Sequence, residues 1–170
     1  IVVVLLLSDY YLADSGFGRG IGAWAIAIAS VPAMLSKPLW GILIDKHPAK
    51  PLAALSASAT GFSLALIVFA ARSEDLVLVY IGYVFLGLGW GGMLPMQEVI
   101  WASFFGRRYI GSIRGAAMPF SLALGAPIPW LVSYYRDFTG GYHEAFFAVA
   151  ALNILSGLMI FFVPKPRRSI

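Results

Sequence analysis

The stretch LWGILIDKHPAKPLAAL, Leu39 to Leu55, sets an acid, three potential cations and two prolines inside an otherwise apolar run. Charge gathered in so few residues between two apolar stretches is the pattern of a short connection between two membrane spans. Outward from it, Ile21 to Ile44 and Pro51 to Ala71 are almost uncharged, as are Leu76 to Phe105, Gly115 to Tyr135 and Ala145 to Val163. Each can cross a hydrocarbon core about 30 Å thick, which takes roughly 17 to 25 helical residues. The chain as a whole is 60% hydrophobic and 12% charged, whereas soluble domains average about 25% charged. Composition therefore excludes a soluble domain.

A further apolar run, Ile1 to Leu12, is too short to span and starts without Met, so it reads as a partial helix over about residues 1–13, cut by the start of the chain. It has neither the basic flank nor the small-residue cleavage site of a signal peptide. The expected architecture is thus all-α and integral to a membrane, a piece of a larger protein. Basic residues in short loops mark the cytoplasmic side. Lys46 and Lys50, then Arg107, Arg108 and Arg114, then Lys165, Arg167 and Arg168 fall in alternate connections, while the others hold only Arg19, Arg72 and Arg136. This predicts a cytoplasmic C-terminus and assigns the net charge of +4 to membrane orientation, with no nucleic acid implied. The chain has no Cys, so disulfides and thiolate ligands are excluded.

Small residues recur four apart, as in Ala53, Ala57, Gly61 and Ala65, or Ala117, Ser121 and Gly125. In lipid, where no hydrophobic force drives association, such rows let helix backbones approach closely. Pro32, Pro38, Pro95, Pro119, Pro127 and Pro129 lie inside the spans. Each removes a backbone donor and tends to kink its helix, which suits helices that line a cavity and bend. The glycine-rich FLGLGWGGMLPMQE, Phe85 to Glu98, is the leading candidate for cavity lining.

In the opening stretch, Asp45 stands near a helix C-terminus, where the helix dipole disfavours a carboxylate. It needs a compensating cation or helix N-terminus, and Gly41, one turn earlier, would let such an element come close. Lys46 and Lys50 can reach anionic lipid headgroups. An ordinary positive-inside loop explains the lysines but not Asp45 and Gly41.

GILIDKHPAK resembles the signature loop of major facilitator superfamily transporters: Gly, three residues, Asp, a base, then further bases. FFGRRYIGSIRGAAMPF, Phe104 to Phe120, is similar to the connection from helix 10 to helix 11 in bacterial members related to monocarboxylate porters, and LADSGFGRG, Leu12 to Gly20, to their turn between helices 7 and 8. The resemblance implies the C-terminal six-helix half of the fold, helices 7 to 12 with helix 7 truncated, lacking its N-terminal six-helix partner. It also implies a bacterial inner membrane, and for Asp45 and Gly41 a contact with the missing half that holds one conformational state. His47 to Ala49 depart from the family pattern, which has a Gly and more arginines there.

Ionisable residues within spans are costly and mark function by default. Lys37 lies eight residues before Asp45, about 12 Å inward, and Glu98 seven residues before Phe105, about 10 Å inward from the same side. The matching depths predict that both face one interior and pair across helices. Lys37-Pro38 resembles the Arg-Pro of monocarboxylate porters, which implies a carboxylate-engaging cation. The acid that the family carries one turn earlier is Ala33 here, leaving Glu98 as the substitute for proton coupling. Gln97, Trp90, Tyr10 and Tyr11 complete the expected substrate set as an amphipathic wall, and Arg107, Arg108 and Arg114 join Gly41, Asp45, Lys46 and Lys50 at the gate. For Lys37 the competing assignment is a side chain snorkelling to the surface, and for Glu98 a structural partner of the loop lysines. Asp9 reads as an interfacial or capping residue.

Signals for other chemistry are poor. GRGIGA, Gly18 to Ala23, fits a dinucleotide fingerprint formally, but one continuous apolar span follows it instead of a strand-helix-strand unit. There is no phosphate loop of the G-x-x-x-x-G-K-S/T type and no G-x-S-x-G. His47 and His143 lie in opposite loops without ligand spacing, so neither metal nor cofactor is expected. The reading is a secondary transporter of a small organic anion, a monocarboxylate moved with a proton by alternating access. The competing classes are a non-transporting membrane scaffold or receptor and an intramembrane enzyme.

Overall fold

A computed structural model describes residues 2–163, apart from the side chains of Val2, Phe104, Phe105 and Arg107. The basic cluster of Lys165, Arg167 and Arg168 lies outside the described residues. The chain is helical: α1 (Val2–Asp14), α2 (Ile21–Lys46), α3 (Ala49–Arg72), α4 (Leu76–Phe105), a 3-10 turn (Arg107–Tyr109), α5 (Ile110–Gly125), α6 (Pro127–Thr139) and α7 (His143–Phe162). Among the described residues there is no strand. Five segments of the described residues are long and apolar enough to cross a membrane, with Ile110–Thr139 counted as one. The expected all-α membrane architecture is the one observed.

Successive segments run in opposite directions, so the connections gather at two ends. Lys46, Lys50, Arg108 and Arg114 lie at one, hereafter the basic end, with Asp45 and Glu98 as its acids. Asp14, Glu74, Asp75, Asp137 and Glu144 collect at the other, the acidic end. There Asp75 caps α4 by accepting from the Leu78 amide at 3.0 Å. Asp9 accepts from the amide of Gly20, the residue just before α2, at 2.9 Å, the capping one of the two roles, interfacial or capping, expected of it.

α3 is the central helix, packed between α4 and α7, and α4 in turn packs on α2. The small residues decide how close these helices come. Ala53 and Ala57 are buried, and a Cβ on Gly61 would stand 2.8 Å from the Ile154 amide nitrogen of α7. At the seam between α2 and α4, a Cβ on Gly87 would fall on the Ala29 carbonyl, and one on Gly91 would stand 2.7 Å from the Ala33 carbonyl oxygen. Backbone thus meets backbone, the arrangement that van der Waals association in lipid favours. Around the seam, Leu64, Ile67, Tyr83 and Leu86 are fully buried. Trp24, Met34, Leu35, Phe62 and Phe85 point outward and are exposed, an apolar exterior that suits lipid and that a monomer in water does not carry.

One expectation is refined here and another fails. The span expected over 115–135 lies within the candidate span Ile110–Thr139, with a break at Ala126. Pro127 and Pro129 lack the amides that would serve the Ala123 and Gly125 carbonyls, so the helix stops and restarts with Pro127 in its first position. The row Ala117, Ser121 and Gly125 does not act as a packing face within this chain: Ser121 and Gly125 are exposed, and nothing approaches Gly125 within 4 Å. By contrast α2 and α4 remain continuous through Pro32, Pro38 and Pro95.

Candidate functional site

The register of the α2–α4 seam sorts the expected site residues. Ala29, Ala33, Ser36 and Trp40 of α2 meet Gly87, Gly91 and Gly92 of α4. Each residue advances about 100° around a helix, so Leu39 and Leu43 turn to one side of that seam and Lys37 to the other. On α4, Phe85 and Leu88 turn to the side of Leu39 and Leu43, with which they line an apolar cleft of about 550 Å³. Trp90, Leu94 and Gln97, spaced four and three residues apart, turn to the side of Lys37. The two sides differ in kind: an apolar cleft on one, and on the other a cation, an amide and an indole in the basic half of the spans.

Lys37 is exposed, and no carboxylate of the described residues lies within 4 Å of it. The expected direct pair with Glu98 is not formed. Glu98 Oε1 is instead 2.9 Å from Arg114 Nη2, an ion pair that ties α4 to α5. Arg114 stands four residues into α5 and reaches Glu98 from the same end; depth along the helices admits either cation, and the approach of α5 to α4 decides between them. Gln97 is exposed beside this pair and Trp90 is half-buried.

Tyr10 and Tyr11 part company. Tyr10 is exposed, whereas Tyr11 is fully buried, stacks on Phe146 at 4.1 Å and shares a 3.1 Å hydrogen bond with His143 Nδ1. Tyr11 therefore belongs to the packing of α1 on α7 and not to a cavity wall. One turn nearer the basic end, the Tyr83 hydroxyl donates to Ser8 Oγ at 2.7 Å, and Ser8 donates to the Val4 carbonyl. Both side chains are fully buried, so α1 is held to α4 by a closed polar chain within the span.

At the acidic end, Arg136 of α6 donates from Nε and Nη2 to the two carboxylate oxygens of Asp14 on α1, at 2.9 and 3.0 Å. The same guanidinium lies over the Tyr142 ring, and Tyr135 donates to Glu144 at 3.1 Å. The segment α5–α6, otherwise little packed, is thus tied down by an ion pair at each end with a break between them. Sequence reasoning missed Asp14, Arg136, Ser8 and Tyr83, since partners 75 or 122 residues apart leave no local spacing signal.

At the gate, Asp45 is exposed in the last turn of α2 and forms no ion pair among the described residues; nothing comes within 4 Å of a Cβ on Gly41. The compensating partner that Asp45 was expected to need is not among the described residues. Lys46 is exposed and Lys50 half-buried. Arg108 is exposed, with its guanidinium over the Tyr109 ring, and the Arg107 side chain lies outside the described residues.

Apolar helices of membrane-crossing length, with small residues at their seams and a polar side set against an apolar one, define a polytopic α-helical membrane protein. Residues 1–170 match the sequence profile of the Major Facilitator Superfamily, and the chain belongs to that superfamily of secondary transporters. No curated protein shows significant similarity to it.

Proposed function

We propose that the chain is the C-terminal half of a transporter that moves a small organic anion, a monocarboxylate, together with protons across a bacterial inner membrane, with its C-terminus in the cytoplasm. The observation that carries this reading is Lys37, a cation about two turns inside the span on the side shared with Trp90 and Gln97, and without a carboxylate partner among the described residues. A cation at such depth is costly unless an anion meets it, and a substrate carboxylate between the two halves would. Glu98, held by Arg114, supports a role in proton coupling or in closing the basic end: protonation of Glu98, or a substrate anion competing for the arginine, would release α5 from α4. Asp45 and Gly41, open on the basic end, suit a contact with the N-terminal half.

Uptake of radiolabelled small carboxylates into proteoliposomes of the full-length parent, with and without an inward proton gradient, tests the proposal. Gradient-driven uptake that is lost in a folded, inserted Lys37→Ala variant is the expected result. Active protein that takes up no carboxylate, or a Lys37→Ala variant that transports as well as the parent, overturns the assignment of substrate class or of Lys37.

A further inference from the structure

The cleft on the other side of the α2–α4 seam opens between α2 and α3 and is floored by α4 at Phe85 and Leu88. Its lining is almost wholly apolar, and it has no free hydrogen-bond donor to offer. Ser36 donates to the Ala33 carbonyl at 3.3 Å, Ser63 to the Ala59 carbonyl at 2.7 Å, and the Trp40 indole to the Leu88 carbonyl at 2.9 Å. The lining therefore suits a hydrocarbon occupant. A transmembrane helix is a poor one, because helices pack in lipid through small residues, whereas this rim carries Leu39, Leu55, Phe62 and Phe85, all more than half exposed. A flexible chain can thread between such side chains. The lining of α3 runs from Leu55 to Leu66, about 16 Å at 1.5 Å per residue, close to half of a hydrocarbon core about 30 Å thick and so to the length of one leaflet.

Charge marks where the chain would be anchored. Ser36, Leu39 and Leu43 of the cleft continue, in steps of three and four, to Lys46 in the last turn of α2. Lys46 is exposed and makes no ion pair among the described residues; Asp45, next to it, points to a different face. We propose that this cleft is a site for one acyl chain of an anionic membrane phospholipid whose headgroup sits on Lys46. The site is separate from the polar side of the seam and does not depend on which solute the protein carries.

Fluorescence quenching by lipids with brominated acyl chains tests this in proteoliposomes of the full-length parent with Trp40 as its sole tryptophan. Brominated phosphatidylglycerol is expected to quench Trp40 with about fivefold higher apparent affinity than brominated phosphatidylcholine, the factor that about 1 kcal/mol per lysine near an anionic surface represents. Lys46→Gln should bring the two lipids level while leaving quenching in place. Native mass spectrometry of the unmodified tryptophan set gives an independent reading: one phosphatidylglycerol retained per protein, reduced in Lys46→Gln. Equal quenching by both lipids in the parent, with no retained phosphatidylglycerol, reduces the cleft to ordinary boundary lipid and overturns the proposal. So does the absence of quenching by either lipid, which would show that protein covers the cleft.

Discussion

Gly87→Val is expected to destabilise the protein by about 1–3 kcal/mol relative to the unsubstituted parent, in the range of an overpacked interior. The obstacle is the Ala29 carbonyl of α2, on which a Cβ at Gly87 would fall, and backbone cannot rotate away as a side chain can. Relief requires α2 and α4 to part by roughly 1 Å, a gap that forfeits about a quarter to a half of the attraction of each atom pair. A seam of roughly 40 such pairs, the number a single buried leucine makes, at about 0.1–0.2 kcal/mol each, loses about 1–4 kcal/mol. The helix propensity of valine over glycine returns only a few tenths, about 0.3 kcal/mol. Denaturant unfolding of the parent in detergent micelles, followed by circular dichroism, measures the difference. Gly41→Val is the control: nothing lies within 4 Å of that position, so stability should stay within about 0.5 kcal/mol of the parent, while transport falls if Gly41 meets the other half. Equal stability of Gly87→Val and the parent would refute the backbone seam.

Ser8→Ala should cost more than Tyr83→Phe. The first strands the buried Tyr83 hydroxyl without an acceptor, about 1–3 kcal/mol, whereas the second removes one interhelical bond, about 0.6 kcal/mol on average in membranes, and leaves Ser8 bonded to Val4; the same unfolding assay ranks them. Glu98→Arg combined with Arg114→Glu should restore transport that either single reversal abolishes, measured as uptake, because the pair at 2.9 Å is local and exposed enough to be inverted. Asp14→Asn should free α6 at the acidic end, read as faster exchange of amide hydrogens over Pro127–Thr139. That difference should shrink as salt rises, since the Debye length falls from about 10 Å at 0.1 M to about 3 Å at 1 M.

Much of this protein was legible in the order of its residues. Uncharged runs long enough to cross a bilayer are a one-dimensional property, so most helix positions followed from reading along the chain; the packing role of the small residues of α3 followed from neighbours within a turn or two. Signature residues in one loop were enough to point to the superfamily. Pairing was not legible. Whether Glu98 meets Lys37 or Arg114 depends on how α5 approaches α4, and equal depth alone admits both. Tyr10 and Tyr11 are adjacent in sequence, and only the position of α7 buries one against Phe146 and leaves the other exposed. The break at Ala126 could have been suspected from its two prolines, yet Pro32, Pro38 and Pro95 leave their helices continuous. Sequence by itself determined that the chain lies in a membrane, because hydrophobicity is carried by each residue separately. Tertiary structure alone decided which side of the α2–α4 seam is polar and which polar groups are partners, because both are set by the rotation and approach of helices far apart in the chain.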